Sequence, residues 1–300
     1  MKKVLLVFLL ALALLVLSSC DNASTTQDLL TLTPDEFPRI DGSTATIPLG
    51  EATAAILTDM ERSQASRFAN FSGTDNSFWN IIGLEADLLI VYEPSEQTVN
   101  SINMGVITID DLNMQPIGRD GLVFIVNASN PIDNLTTNQI RDIYAGLITN
   151  WNEIGGADAP IEPFQRNLTA GSHALMISLL MQDTPLVAPP QHLMFSGMGG
   201  LLAAVAEFDS GQYAIGYNVF YYVTEMMNNP DVKVLSVDGV APTRETIANG
   251  EYPLTNYFYA VIRDNERTDS AAYKVFEWLQ SPEGQALINA EGYAAINPPR

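Results

Sequence analysis

Residues 116–156, PIGRDGLVFIVNASNPIDNLTTNQIRDIYAGLITNWNEIGG, hold the change of pattern that decides the fold. Gly121 to Val126 (GLVFIV) is a short unbroken apolar run of the kind a buried strand shows. Beyond a polar turn, Thr137 to Tyr144 carries its apolar residues at helical spacing. The same alternation extends both ways along the chain. Upstream, residues 50–62 and 77–82 read as helices, and Asp87 to Val91 (DLLIV) reads as a strand. Downstream, helices are expected at 171–181, 200–208, 270–279 and 282–290, with strands near 214–217, 232–237 and 257–262. Strands alternating with helices imply an α/β fold with mostly parallel sheets.

The first 20 residues, MKKVLLVFLLALALLVLSSC, follow a different logic. Two lysines, an apolar run from Val4 to Leu17 and the small residues before Cys20 make a signal peptide whose cleavage leaves Cys20 first. A run of about 14 apolar residues is short of the roughly 20 that span hydrocarbon. Leu17-Ser18-Ser19-Cys20 resembles a bacterial lipoprotein lipobox, which implies a diacylglyceryl thioether on Cys20 and a protein tethered outside the cytoplasmic membrane. Cys20 is the only cysteine, so no disulfide is available and stability has to come from the core. From Asp21 to about Pro38 the chain is polar and aperiodic, as expected of a flexible tether ahead of a folded body that starts near residue 37.

The net charge of −21 argues against nucleic acid and anionic lipid headgroups as partners. It leaves room for a small anion in a pocket, because exposed charges more than about 8–10 Å away are screened at physiological salt. Three turns suit such an anion. Asp41-Gly42-Ser43-Thr44 precedes a helix expected to begin near residue 47, and Ser72-Gly73-Thr74-Asp75-Asn76 precedes another. Arg166 ends the extended segment IEPFQR and is followed by Thr169-Ala170-Gly171-Ser172-His173 at the start of a third. A guanidinium, hydroxyls and the unpaired N–H groups of a helix start together can hold a tetrahedral oxyanion. Each turn alone is explained equally well as a helix cap.

From about Arg39 to Ala295 the chain resembles the phosphate-binding proteins of bacterial phosphate ABC transporters, members of the type II periplasmic-binding-protein superfamily. PRIDGSTATIPL resembles the first anion loop, ADLLIVYEPS the strand leading to the cleft, and QRNLTAGSHALM the second anion loop. Residues 116–156 are similar to the family's hinge strand, following helix and tryptophan turn. GQYAIGYNVFYYV, EYPLTNYFYAVI and WLQSPEGQALINAEGY match the remaining landmarks in order. The resemblance implies two lobes, 37–118 plus 258–300 and 119–257, with GLVFIV and YFYAVI as hinge strands and the ligand between them. It implies that Ser43, Thr44 and Thr74 donate to the anion, that Arg166 pairs with its charge, and that Gly171, Ser172 and His173 cradle it. His173 stands where the family has a hydroxyl; its ring either donates to the anion or points away from the first helical turn. Glu93 is the expected stand-in for the family's proton-accepting aspartate, with Asp41 and Asp75 as alternatives.

Enzyme chemistry finds little support in the sequence. There is no G-x-S-x-G elbow, the only histidines are His173 and His192, and no nucleotide-type phosphate loop occurs. The expected protein is therefore a monomeric, lipid-anchored, extracytoplasmic binding protein without cofactor or metal, delivering inorganic phosphate to an ABC permease. The alternatives are a receptor for another oxyanion or small solute, and a sensor or surface interaction module on the same fold. Cys20→Ala is expected to release or mislocalise the protein, seen by cell fractionation, and to leave ligand affinity unchanged.

Overall fold

The computed structural model describes residues 30–207 and 213–296. The signal peptide with Cys20, and the tether up to residue 29, lie outside the described residues. The last part of the expected tether is part of the folded body instead. Leu32 and Phe37 are buried, the Leu32 N–H donates to the Leu57 carbonyl at 2.7 Å, and Phe37 packs on Phe68 with ring centroids 5.1 Å apart. Two apolar side chains in a polar stretch are enough to dock it.

The first strands and helices carry the first anion loops. Strand β1 (Ile40–Gly42) pairs in parallel with β2 (Leu88–Val91). Between them lie α1 (Ile47–Thr58), the short α2 (Arg62–Ala65) and α3 (Thr74–Ile82). Helix α1 starts three residues earlier than its apolar spacing suggests, because Pro48 suits the first helical turn. It stops at Asp59, which takes a left-handed conformation with φ 51°. All four residues of β2 are buried, as an apolar run without alternation requires. Helix α4 (Glu96–Asn103), with few apolar residues, was not expected; Ser95 caps it by accepting the Thr98 N–H.

Strand β3 (Leu112–Asn127) is the long beam of the molecule. It starts nine residues before the run GLVFIV, because its first half is polar and irregular. Its register slips opposite Phe258 and Tyr259, where Pro116 and Gly118 are the partners and Ile117 bulges out. Next come β4 (Asn134–Leu135), α5 (Thr137–Tyr144), β5 (Glu162–Pro163), β6 (Gln165–Arg166), α6 (Gly171–Leu175), β7 (Met194–Phe195), α7 (Met198–Ala206) and β8 (Ala214–Val219). Helix α5 has a capping box between Thr136 and Gln139. The apolar stretch after α6 widens into a π-helical turn over Met176–Met181. The expected strand at 232–237 is two strands, β9 (Val232–Val234) against β3 and β10 (Ser236–Val237) against β4. Strand β11 (Thr255–Arg263) precedes the helices Ala271–Gln280 and Pro282–Ala290 and the short β12 (Ala294–Ala295).

The sheet is mixed. Parallel pairs join the short strands β1 with β2, β5 with β8, β6 with β7 and β10 with β4, whereas β3 and β11 run antiparallel to their neighbours. Residues 112–121 of β3 pair with β11, and residues 122–126 pair with β8. One strand therefore serves two sets of partners, and the hand-over falls at Gly121/Leu122. A core of Phe78, Ile81, Leu89, Val91, Ile102, Leu112 and Val261 lies on the β2/β11 side. On the β8 side, Trp151 is buried and donates its indole N–H to the Tyr213 carbonyl at 2.9 Å.

Gly118 sits in this crossing segment with no room for a side chain: an added Cβ would lie 2.2 Å from Phe258 Cζ and 3.2 Å from the Ala294 carbonyl oxygen. Gly118→Ala is expected to cost about 1–3 kcal/mol through overpacking, read as a lower urea midpoint; an unchanged midpoint would contradict the packing described.

Candidate functional site

The first anion loop is held by backbone contacts that leave no space for side chains. A Cβ on Gly42 would lie 1.9 Å from the Ile90 carbonyl oxygen, so only glycine lets β1 turn away from β2 at that point. Ser43 follows in extended conformation and donates its N–H to Ile90 O at 3.2 Å. Asp41 is buried beneath the loop and accepts four bonds: from Gly42 N and Ser72 N at 2.7 Å, Ser72 Oγ at 2.6 Å and Asn80 Nδ2 at 2.7 Å. That carboxylate ties the second turn to the first. Gly73, at φ 96°, then lets α3 start with Thr74 beside Ser43.

The Ser43 and Thr74 hydroxyls lie 2.8 Å apart, and Ser43 Oγ also accepts the Tyr92 N–H at 3.1 Å. Two hydroxyl hydrogens are present and one is used between the pair, so one remains to donate outward. The opposite wall carries the charge. Arg166 is only 5 % exposed; it donates through Nε to Phe195 O at 3.2 Å, through Nη2 to Ser196 O at 3.2 Å and through Nη1 to Ser172 Oγ at 3.3 Å. No carboxylate pairs with it among the described residues. Burial pushes its pKa down from the usual arginine value, although a guanidinium keeps its charge.

These groups enclose a cavity of about 260 Å³. Ser43, Thr44, Thr74, Arg166, Gly171 and Ser172, all expected from the sequence, line it together. So do Ser72, Asp75, Tyr92, Asn167, Ser196 and Val219, which were not assigned there except for Asp75 as an alternative carboxylate. Both Asp75 oxygens are engaged, by Ser95 N at 2.9 Å and Ser95 Oγ at 2.6 Å. The amides that open α3 have no acceptor within the helix, so they add donors to the same space. The two walls touch: a Cβ on Gly171 would fall 2.4 Å from Thr74 Oγ1.

Two expected residues are not brought into this cavity. Glu93 accepts the Tyr259 hydroxyl at 2.7 Å and, with His173, lines a neighbouring cavity of about 600 Å³. The residue after β2 that lines this cavity is Tyr92, because a one-residue step along an extended chain reverses the side chain. His173 is buried with Nδ1 3.2 Å from Tyr217 Oη. That phenol oxygen also accepts the Arg166 N–H at 3.1 Å, so it links the imidazole to the arginine backbone. Burial and the nearby Arg166 both lower the His173 pKa, which keeps the ring neutral rather than adding charge. Its place is behind Arg166, supporting it through Tyr217.

Behind Tyr92 lies Asp120, 2 % exposed on β3. It accepts the Tyr92 hydroxyl at 2.6 Å, Gly121 N at 2.7 Å and Tyr221 N at 3.1 Å. Burial raises its pKa to about 6, against these bonds, which pull the other way. Nothing in the sequence pointed to it beyond an acidic residue beside an apolar run. Among the described residues no group of three or more His, Cys, Asp or Glu side chains could hold a metal ion. Across the cavity, hydroxyls and helix-start amides thus face one buried cation.

Residues 50–283 match the family model of the PBP superfamily domain, and the chain belongs to that superfamily. It is 25% identical over 181 residues to the phosphate-binding protein PstS of Borreliella burgdorferi and 26% identical over 177 residues to that of Bacillus subtilis. Each match covers 59% of this chain, and they span 63% and 55% of the relatives' own lengths. Among solved structures, the chain is similar to a Clostridium perfringens protein described as a phosphate ABC transporter substrate-binding protein with bound phosphate. The identity there is 26% and the TM-score 0.66, over 86% of this chain and 98% of the other. An ABC-type phosphate transport receptor from Vibrio cholerae shares the fold at TM-score 0.62 and 22% identity, over 85% and 98% of the two chains. The α/β fold with its mixed sheet is thus that of a two-lobed periplasmic binding protein.

Gly171→Ala is expected to push the 170–172 turn away from Thr74 and to lower affinity for a tetrahedral oxyanion such as phosphate at least about tenfold, the size of one lost charged hydrogen bond. Calorimetric titration with an unchanged circular dichroism spectrum would show it, and full affinity would contradict the closed geometry.

Proposed function

We propose that this protein binds inorganic phosphate in the cavity at Arg166 and presents it to an ABC permease. The observation that carries the reading is a buried guanidinium with no acidic partner among the described residues, facing hydroxyls and helix-start amides. Taking a cation out of water costs several kcal/mol, and hydrogen bonds to neutral oxygens leave its charge uncompensated. A bound anion supplies the missing charge. The relatives named as phosphate-binding proteins favour phosphate among anions of this size.

In this reading the lobes are residues 37–118 with 258–300 and residues 119–257, and they close on the ligand about β3 and β11. Ser43, Thr44 and Thr74 donate from one lobe, and Arg166, Gly171 and Ser172 from the other. Because the ligand touches both, it favours the closed state, and closure is the signal a permease reads. The protein acts by binding, not catalysis, as the relatives named phosphate-binding proteins do. It works as a monomer on the outer side of the cytoplasmic membrane, held by acyl chains on Cys20. One observation favours a second reading, another tetrahedral oxyanion: a phenol, Tyr92, and not a carboxylate follows β2 into the cavity.

Calorimetric titration with phosphate, sulfate, molybdate and arsenate separates these two; tighter sulfate than phosphate binding would overturn the phosphate assignment. Arg166→Ala is expected to abolish phosphate binding and, by removing an unpaired buried charge, to leave the ligand-free protein as stable or more so by up to about 2 kcal/mol. Thermal unfolding with and without phosphate reads both, and retained binding would move the site elsewhere.

A further inference from the structure

Asp120 lies outside the anion cavity but is connected to its wall. It stands on β3 just before the strand passes from β11 to β8. Two of its hydrogen-bond donors, the amides of Gly121 and Tyr221, are fixed by the backbone. The third, the Tyr92 hydroxyl on Oδ2, can turn about its C–O bond. A proton added to the carboxylate therefore finds its ready acceptor at Tyr92 Oη, and the phenol hydrogen must then point elsewhere. Tyr92 is one of the residues that line the cavity.

We propose that Asp120 is a positioning residue of the anion site and acts through Tyr92: ionised, it holds the phenol hydrogen away from the cavity, and neutral, it frees that hydrogen to donate to the bound anion. The inference rests on reading the cavity as an anion site. Two effects share one sign. Protonation removes a negative charge from behind the wall and adds a donor to it, so anion affinity rises as pH falls. By linkage, a bound anion raises the proton affinity of Asp120 to the same degree.

The surroundings of Asp120 allow this titration in an ordinary pH range. Burial already raises its pKa to about 6. The folded state thus holds the proton more tightly than the unfolded chain, and the stability this contributes is lost as pH rises through about 6. Facing it are the phenols of Tyr92, Tyr221 and Tyr293, all shifted upward by burial and so neutral there. Arg119 and Arg244 share the small space behind it. The first donates to Ala248 O and Tyr257 Oη, and the second to Tyr293 O and to Asn289, so neither supplies an ion pair to Asp120.

The test is phosphate titration of the wild type, Tyr92→Phe and Asp120→Asn between about pH 5 and about pH 7.5, the span across which a group near 6 changes charge. Tyr92→Phe keeps the ring and removes the relay, so its profile carries the ligand's own titration. Asp120→Asn keeps Oδ1 for the two amides and donates its NH₂ to Tyr92 Oη, which copies the neutral carboxyl. The ratio of wild-type to Tyr92→Phe affinity is expected to rise roughly tenfold on acidification, about one charged hydrogen bond. Asp120→Asn should show the high ratio at every pH. A wild-type ratio that stays constant would overturn the proposal. Tyrosine difference absorption of the ligand-free proteins tests the link separately: an inflection near the Asp120 titration in the wild type, lost in both variants, is expected, and its absence would overturn the proposal regardless of phosphate. The inflection together with no phosphate binding at any pH would instead overturn the phosphate reading.

Discussion

The structure around the cavity depends on keeping one arginine out of water without giving it an acid. Phe195 O, Ser196 O and Ser172 Oγ satisfy the Arg166 N–H groups, but carbonyl and hydroxyl dipoles do not cancel a full charge. Its backbone is held as firmly. The β6/β7 pairing sets its direction, and Tyr217, itself bonded to His173, takes its amide hydrogen. Across the cavity Asp41 does the matching work with four hydrogen bonds, so that Ser43 and Thr74 meet with a hydroxyl hydrogen to spare. Such a site is preorganised: the ordering of its donors is done by folding.

The long β3 strand makes the two walls answer to each other. It pairs first with β11 and then with β8, with Gly118, Asp120 and Gly121 in the segment between. Gly118 lies under Phe258 with no space for a larger residue, and Gly121 lies close under Ile247 and Tyr252. The hydrogen-bond pattern of the strand changes hands at Gly121/Leu122. Asp120 stands at that place, and its partners come from both sides: Tyr92 after β2 and the Tyr221 amide after β8.

Much of this was legible in the sequence, and the parts that were not have physical reasons. The strands at Leu88–Val91 and Ala214–Val219 and the helices Thr137–Tyr144 and Pro282–Ala290 follow from unbroken apolar runs, caps and helical spacing. Arg166 and the turns at Ser43, Thr74 and Gly171 could be named because charge, hydroxyls and glycine cluster before helices. The polar half of β3 could not, since its pairing with β11 is a tertiary fact with a bulge at Ile117. Glu93 and His173 were drawn to the ligand by the places they hold in the family resemblance. Side-chain direction decided otherwise, and one step along the chain exchanges Glu93 for Tyr92. Asp120 was invisible because a buried carboxylate is recognised by what surrounds it.

The most direct measurement is a crystal structure grown with phosphate. The account predicts one tetrahedral anion whose oxygens lie within hydrogen-bond distance of the Arg166 guanidinium, the Gly171–Ser172 turn and the Ser43/Thr74 hydroxyl pair at the same time. Phosphate bound away from Arg166, or a cavity that stays empty at saturating phosphate, would contradict it.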